Sequence, residues 1–242
     1  WLDGPMNNVT IANTVIADRY VIVRTLGRGS MKQVYLATDR TSGTQVALAL
    51  LQPDGRDDVT LGARFSREGK AAAVLRSPHT VRVHDVGKLP DGTRSMATEA
   101  VIGRGLDEAM SKGALDPLLA ARFAVHVLAG LEEAHRRGIL HRDVKPENVL
   151  LAPSPNGEIA KLTDFGLAKV LDVALEGSQQ LHTAQNIVLG TPEYMSPEQW
   201  QGSAQDGRTD LYAVGVMLYE MLAGRAPFES KFLHAICVAH CT

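Results

Sequence analysis

Cysteine is nearly absent: Cys237 and Cys241 are the only two in 242 residues. No disulfide framework can hold the chain together, and a reducing compartment, the cytoplasm, is expected. An excess of one charge is lacking too, with 25 Lys and Arg against 27 Asp and Glu, a formal net charge of −2. That balance removes the electrostatic case for DNA or RNA as the main partner. No apolar run reaches membrane-spanning length, no signal peptide opens the sequence, and no internal repeat or low-complexity tract occurs. The hydrophobic share of 45% is ordinary for a globular protein with a substantial core. The first residue is Trp1 rather than methionine, so a piece of a longer product is expected. A membrane anchor beyond Thr242 would place this piece on the cytoplasmic face.

Texture divides the chain. Residues 1–19 are polar and turn-rich, a lead-in. Strands are expected at Tyr20–Leu26, Val34–Thr38 and Gln45–Leu51, separated by turn signals at Gly27–Ser30 and Thr41–Gly43, which suggests an antiparallel meander. Arg64–Leu75 has helical spacing, and two further strands follow at Val81–Val86 and Arg94–Glu99. After Gly103 the pattern turns helical. Asp116-Pro117 is a start signal for a helix running to about Arg137, with Leu119, Phe123, Val127, Leu131 and Ala134 on one face and Gly138 as its stop. Asp210–Leu222 is apolar on nearly every side, as expected of a buried central helix, and a last helix is expected over Phe232–Cys241. The order predicts a β-rich lobe over 20–98, a connector at 99–105 and an α-rich lobe over 106–242.

Three segments carry the chemistry. They are His141-Arg142-Asp143-Val144-Lys145-Pro146-Glu147-Asn148, then Asp164-Phe165-Gly166, then Gly190-Thr191-Pro192-Glu193-Tyr194-Met195-Ser196-Pro197-Glu198. In this order the sequence resembles the eukaryotic-type protein kinases from Tyr20 to Phe228, and Tyr-Met-Ser-Pro-Glu-Gln at 194–199 resembles their bacterial serine/threonine branch. The resemblance implies MgATP as the phosphate source and proteins with Ser or Thr hydroxyls as acceptors. Phosphoryl transfer needs alignment and charge neutralisation more than covalent help. Asp143 would accept the hydroxyl proton, and Lys145 would favour charge developing at the γ-phosphate. Asn148 and Asp164 would supply hard oxygen ligands to Mg²⁺. In isolation an Asp or Asn in a loop is a turn former or cap; the ordered set is what favours catalysis.

The glycine-rich segment Leu26-Gly27-Arg28-Gly29-Ser30-Met31-Lys32-Gln33-Val34-Tyr35 joins two expected strands, where the family covers the ATP phosphates with backbone N–H groups. The family's third glycine is replaced by Lys32. Its third-strand lysine is missing as well: the strand reads Val46-Ala47-Leu48-Ala49, and no lysine occurs between Lys32 and Lys70. Glu68 stands where the partner glutamate is expected. This combination resembles the With-No-Lysine (WNK) kinases, which carry the lysine in the glycine-rich loop and a small residue on the third strand. Neighbouring strands lie about 4.8 Å apart, a gap that a lysine stem can bridge. Phe165 stands where those kinases have leucine, so their chloride sensing is not carried over. The competing reading of Lys32 is a solvated loop lysine, and Ala49 would then mark a pseudokinase.

Thr98-Glu99-Ala100-Val101 resembles the hinge that binds the adenine edge, with Thr98 as a small gatekeeper. Val34, Ala47 and Leu150 would sandwich the base; in isolation they read as strand and core residues. Arg142 would receive a phosphorylated residue between Gly166 and Gly190, with Ser178 and Thr183 as candidates, which implies autophosphorylation and self-association. Thr191 would shape the site near Asp143 and Lys145. Glu198 normally pairs with a late-helix arginine in the family, and Asp210 anchors the catalytic loop. Cys237, His240 and Cys241 have helical spacing and no evident fourth ligand, so a helix face is expected rather than a zinc site. The expected class is thus α+β, a bilobal protein kinase fold lacking its last helices. The expected activity is MgATP-dependent Ser/Thr phosphorylation, and the alternative is a nucleotide-binding pseudokinase acting as a scaffold.

Overall fold

A computed structural model describes residues 13–28, 32–51, 59–165 and 191–242. They form two compact units, one from residues up to 57 with 84–100, the other from 58–83 and 101–242.

The first unit is built on a sheet. β1 (Val15–Ile16), β2 (Tyr20–Arg28), β3 (Lys32–Asp39), β4 (Gln45–Leu51), β5 (Val83–Lys88) and β6 (Arg94–Glu99) lie in the order β1-β2-β3-β4-β6-β5. The pairings from β1 through β4 to β6 are antiparallel. Side chains alternate between faces along each strand, and here the two faces differ in kind. One face carries Ile22, Tyr35, Ala37, Val46, Leu48 and Ala97, which with Tyr20 form the buried apolar cluster. The other carries Lys32, Val34, Ala47, Ala49, Met96 and Thr98, by the registers Lys32↔Leu51, Val34↔Ala49, Ala47↔Thr98 and Ala49↔Met96. Across the sheet's outer turn Arg19 donates to both oxygens of Asp39, at 2.9 and 2.8 Å, and to Asp85 at 2.5 Å. The guanidinium holds the Asp39 carboxyl far below the usual carboxylate range, overcoming the opposing effect of burial.

The strand expected at 81–86 begins two residues later. Val81 donates its N–H to Leu162 O (2.8 Å) and Thr80 bridges Leu162, so that stretch pairs outside the large sheet. The helix expected over 64–75 is α1 (Val59–Ala72). Its C-terminal end tightens into i→i−3 bonds, Val74 N to Ala71 O and Leu75 N to Ala72 O, so 74 and 75 leave the α pattern.

The second unit adds α2 (Leu106–Met110), α3 (Pro117–Arg136), α4 (Pro197–Trp200), α5 (Gly207–Ala223) and α6 (Leu233–Cys241). It also holds a three-stranded sheet, β7 (Arg104–Gly105), β8 (Val149–Ser154) and β9 (Gly157–Leu162). Asp116 caps α3 as its position predicts, accepting from Leu118 N and Leu119 N, and Gly138 takes φ +71 after the helix end. The α3 stripe Ala120, Phe123, Ala124, Val127, Leu131 and Ala134 is buried. The expectation for α5 needs correction. Ala213, Val214, Val216, Met217 and Met221 are buried, but Leu211 (48%), Tyr219 (45%) and Leu222 (45%) form an exposed stripe. Its apolar residues therefore serve two faces, only one of which is covered among the described residues.

The segment after α1 is strapped to this unit. Glu133 of α3 accepts Arg76 N–H (2.8 Å) and Ser77 N–H (2.6 Å). A side chain at Gly130 would place its Cβ 2.9 Å from His79 O, so only glycine allows α3 this close. His79 and His126 stack with ring centroids 4.3 Å apart. Between them Ala160 of β9 is held at both ends, its O to His79 Nδ1 (3.1 Å) and its N–H to His126 Nδ1 (3.2 Å).

Candidate active site

The loop between α3 and β8 carries Asp143, and buried side chains shape it. Asp210, at the start of α5 and 1% exposed, accepts three bonds. Its Oδ1 takes Arg142 N–H (2.7 Å), and its Oδ2 takes His141 N–H (2.9 Å) and His135 Nε2 (2.7 Å). Burial alone would push this carboxyl up; the bonds from His135 and the loop backbone outweigh it and hold it below the ordinary range. Arg142 is thereby kept at φ +67, a left-handed conformation that non-glycine residues rarely hold. His141 is fully buried, with Nε2 on Thr163 O (2.7 Å) and its ring edge-on to Phe165, centroids 4.7 Å apart. Thr163 N–H in turn bonds Asn148 O (2.9 Å), and Asp164 follows at φ +64. The backbone thus draws Asp143, Asn148 and Asp164 toward one place.

The side chains complete it. Lys145 Nζ lies 2.8 Å from Asp143 Oδ2 and donates to Thr191 Oγ1 at 2.6 Å. Asn148 Nδ2 donates to Asp143 Oδ2 (2.9 Å) and to Asp143 O (2.7 Å). With its nitrogen so engaged, the carbonyl oxygen of Asn148 is the atom left to serve as a hard donor. Asn148 and Asp164 together fit Mg²⁺, which binds through one or two protein oxygens and completes its shell with phosphate and water. No cluster of three or more His, Cys, Asp or Glu ligands occurs among the described residues.

The segment 191–200 sits against this loop. Tyr194 OH donates to Glu220 of α5, which pins the 3₁₀ turn Pro192–Tyr194. Burial, then the Glu220 bond and nearby carboxylates push the Tyr194 phenol far above its normal range. Burial raises Glu220 as well, with Glu147, Glu229 and Glu193 adding to it. Glu198, expected to need an arginine, accepts from Thr209 Oγ1 at 2.6 Å. Gln199 Nε2 donates to Arg142 O (3.0 Å) while its Oε1 accepts Ser196 N–H (3.0 Å). His240 lies buried against Phe228, Tyr212 and Trp200 and shares a 2.7 Å bond with Tyr212 OH. Cys241 is exposed and burial raises the Cys237 thiol, so these three residues divide between core and surface.

Of the residues expected to bind the nucleotide, Leu26, Gly27, Arg28, Lys32, Val34, Ala47, Thr98 and Glu99 belong to the sheet unit. Gly27 pairs with Val34, and Thr98 Oγ1 bonds Ala47 O at 3.4 Å. Glu68 on α1, Val101 and Leu150 of β8 belong to the second unit; Glu68 lies 3.4 Å from Arg67. Gly29, Ser30, Ser178 and Thr183 lie outside the described residues. Sequence reasoning missed His135 and Gln199. His135 stands six residues from the loop it supports, with no local pattern to mark it. Gln199 was visible only as wording after Ser-Pro-Glu.

The protein kinase domain model matches residues 20–239. Among curated relatives, the serine/threonine-protein kinase pkn3 of Myxococcus xanthus is 39% identical over 229 residues, covering 94% of this chain and 42% of the relative. PrkC of Bacillus subtilis, also a serine/threonine-protein kinase, is 36% identical over 226 residues, 93% of this chain and 33% of the relative. The chain therefore spans less than half the length of these relatives. The crystal structure of the Mycobacterium tuberculosis PknI kinase domain superposes with a TM-score of 0.70 at 30% identity, covering 95% of this chain and 85% of that one. With its fold, its loop geometry and its relatives in agreement, this chain belongs to the protein kinase domain family.

Proposed function

We propose that the protein transfers the γ-phosphoryl group of MgATP to serine and threonine hydroxyls of proteins. The observation that carries this reading is the convergence of Lys145 and Asn148 on Asp143, with Thr191 holding the lysine. Bound MgATP would supply the phosphoryl group. The substrate oxygen forms a bond to the γ-phosphorus, the bond from that phosphorus to the bridging oxygen breaks, and the hydroxyl proton passes to the Asp143 carboxylate. Lys145 beside Asp143 offsets negative charge on the transferring group, and Thr191 keeps the ammonium in place. Asn148 and Asp164 would hold Mg²⁺ through oxygen. Assignment of 20–98, 99–105 and 106–242 as lobe, hinge and lobe is part of the same reading, with Leu26 to Ser30, Val34, Ala47, Thr98, Glu99, Val101 and Leu150 around ATP. So are a cytoplasmic location, self-association and autophosphorylation of Ser178 or Thr183, with Arg142 as the receiving cation.

Lys32 takes the role of the absent third-strand lysine in this reading. What supports it is register. Lys32 and Ala49 project from the same sheet face as diagonal neighbours, since Val34 faces Ala49 and Lys32 faces Leu51. Such positions are about 7–8 Å apart, within a lysine's reach. Ala49 is buried between Val34 and Met96 in the register and also favours the rival reading, a pseudokinase scaffold. Incubation with radiolabelled ATP and dephosphorylated casein separates the two, with Asp164→Ala as the blank. Transfer well above the blank is expected; transfer equal to it would leave the scaffold reading standing.

A further inference from the structure

Arg142 and Asp143 share one peptide unit, and its orientation sets where the Asp143 carboxylate points. On the amino side, Asp210 Oδ1 holds Arg142 N–H at 2.7 Å. On the carboxyl side, the carbonyl of that shared peptide accepts Gln199 Nε2 at 3.0 Å. Because Arg142 is at φ +67, its peptide groups do not fall into a regular ladder and need side-chain partners. The other end of the Gln199 amide accepts Ser196 N–H at 3.0 Å. Ser196 follows the turn whose capping residue, Thr191, receives Lys145. One primary amide therefore joins the loop bearing the proton acceptor to the segment that seats the lysine. Arg142, Asp143, Thr191 and Gln199 also line a common depression.

An amide satisfies both partners at once, which a carboxylate or an apolar side chain cannot. The carbonyl of Arg142 demands a donor and the N–H of Ser196 demands an acceptor, so the two contacts fix which end is nitrogen and which is oxygen. We propose that Gln199 is a positioning residue for phosphoryl transfer, orienting Asp143 through the Arg142 carbonyl. The inference rests on the kinase reading above.

Gln199→Glu keeps the shape and the bond from Ser196 but turns a carboxylate oxygen toward Arg142 O. Protonation of that carboxyl restores a donor. The variant, Gln199→Met and the unaltered chain are compared in initial-rate phosphorylation of dephosphorylated casein from pH 6 to pH 8.5, beside their thermal midpoints. At pH 8 the Glu variant is expected to lose about tenfold in kcat with KM for ATP changed less than about twofold. A carboxylate held against the Arg142 carbonyl is disfavoured and protonates more readily than an ordinary glutamate, so its kcat relative to the unaltered chain rises at least about threefold on going to pH 6, whereas that of the Met variant stays flat. A Glu variant with unaltered kcat at pH 8, or a ratio that does not move with pH, overturns the proposal. If Gln199→Glu does not fold, Gln199→Met decides: the same loss with KM unmoved supports it, and an unaltered kcat overturns it. An unaltered chain with no transfer overturns the kinase reading and this inference together, while a pH-flat ratio in an active enzyme overturns the inference alone.

Discussion

Replacing Asp210 by asparagine tests how the catalytic loop is held. The aspartate accepts on both oxygens: Arg142 N–H on one, His141 N–H and His135 Nε2 on the other. Asparagine offers one accepting oxygen and a nitrogen that can only donate. If its oxygen takes the place facing His135 and His141, the amide nitrogen confronts Arg142 N–H; the reverse placement strands two donors. The milder orientation loses one bond to an anion and leaves a buried N–H unsatisfied, about 3 kcal/mol together. In a chain of this size that lowers the thermal midpoint by roughly 6–12 °C. Freed from Asp210, Arg142 relaxes from φ +67 and shifts Asp143, and a misplacement near 1 Å costs about 100-fold in kcat. Calorimetry and initial rates read the two effects separately. A pH series adds a third. Asp210 is held below its ordinary range in the folded state, so its contribution to stability is present above the unfolded carboxyl value. It is lost as pH falls through the lower folded one. Asp210→Asn should lack that acid-dependent part. A variant melting within about 2 °C of the unaltered protein, with the same kcat, would refute the account.

Two further outcomes follow from groups farther out. Glu133→Gln weakens the strap on Arg76 and Ser77 by about 1–2 kcal/mol at neutral pH. Burial raises the Glu133 carboxyl, but the two backbone N–H groups and Arg137 hold it below its normal value on balance, so its stabilisation fades as pH falls through the folded pKa. The gap in denaturant midpoint between the two proteins should therefore close as pH falls below the ordinary carboxylate range; a constant gap would count against the assignment. Lys32→Met should cut phosphotransfer by about 100-fold or more, and adding Ala49→Lys on the same sheet face should recover part of it. Normal turnover in Lys32→Met would end the relocation reading.

The elements that sequence made legible are those whose order arises locally. Gln45–Leu51 is an apolar run and Arg94–Glu99 a short strand beyond the turn at Asp91-Gly92, and both strands occur with those bounds. Asp116-Pro117 marks α3 because an acidic cap and a proline act within one turn of the helix they start. The small sheet β7-β8-β9 escaped, since a two-residue strand such as Arg104–Gly105 has no period to detect. Val81 reads as strand by composition, yet its N–H is claimed by Leu162, a residue distant in sequence. The same division holds at the site. Asp143, Lys145 and Asn148 stand close together in the chain and were readable as a set. His135 and Gln199 act on the loop from outside it, and only three-dimensional proximity reveals them.

The stacked pair His79 and His126 has a chemical consequence of its own. Ala160 N–H donates to His126 Nδ1, so that imidazole must carry its hydrogen on Nε2. Ala160 O needs a donor from His79 Nδ1, so the neighbouring ring must carry its hydrogen on Nδ1. One alanine peptide thus demands opposite roles of the Nδ1 atoms of two rings lying face to face. Burial, with the neighbouring His79 and Arg122, holds His126 below the usual imidazole range. A proton can reach its Nδ1 only by evicting the β9 backbone. In this protein a single strand residue fixes which of two stacked histidines presents a hydrogen to the backbone from Nδ1 and which presents a lone pair, and nitrogen chemical shifts would display that difference.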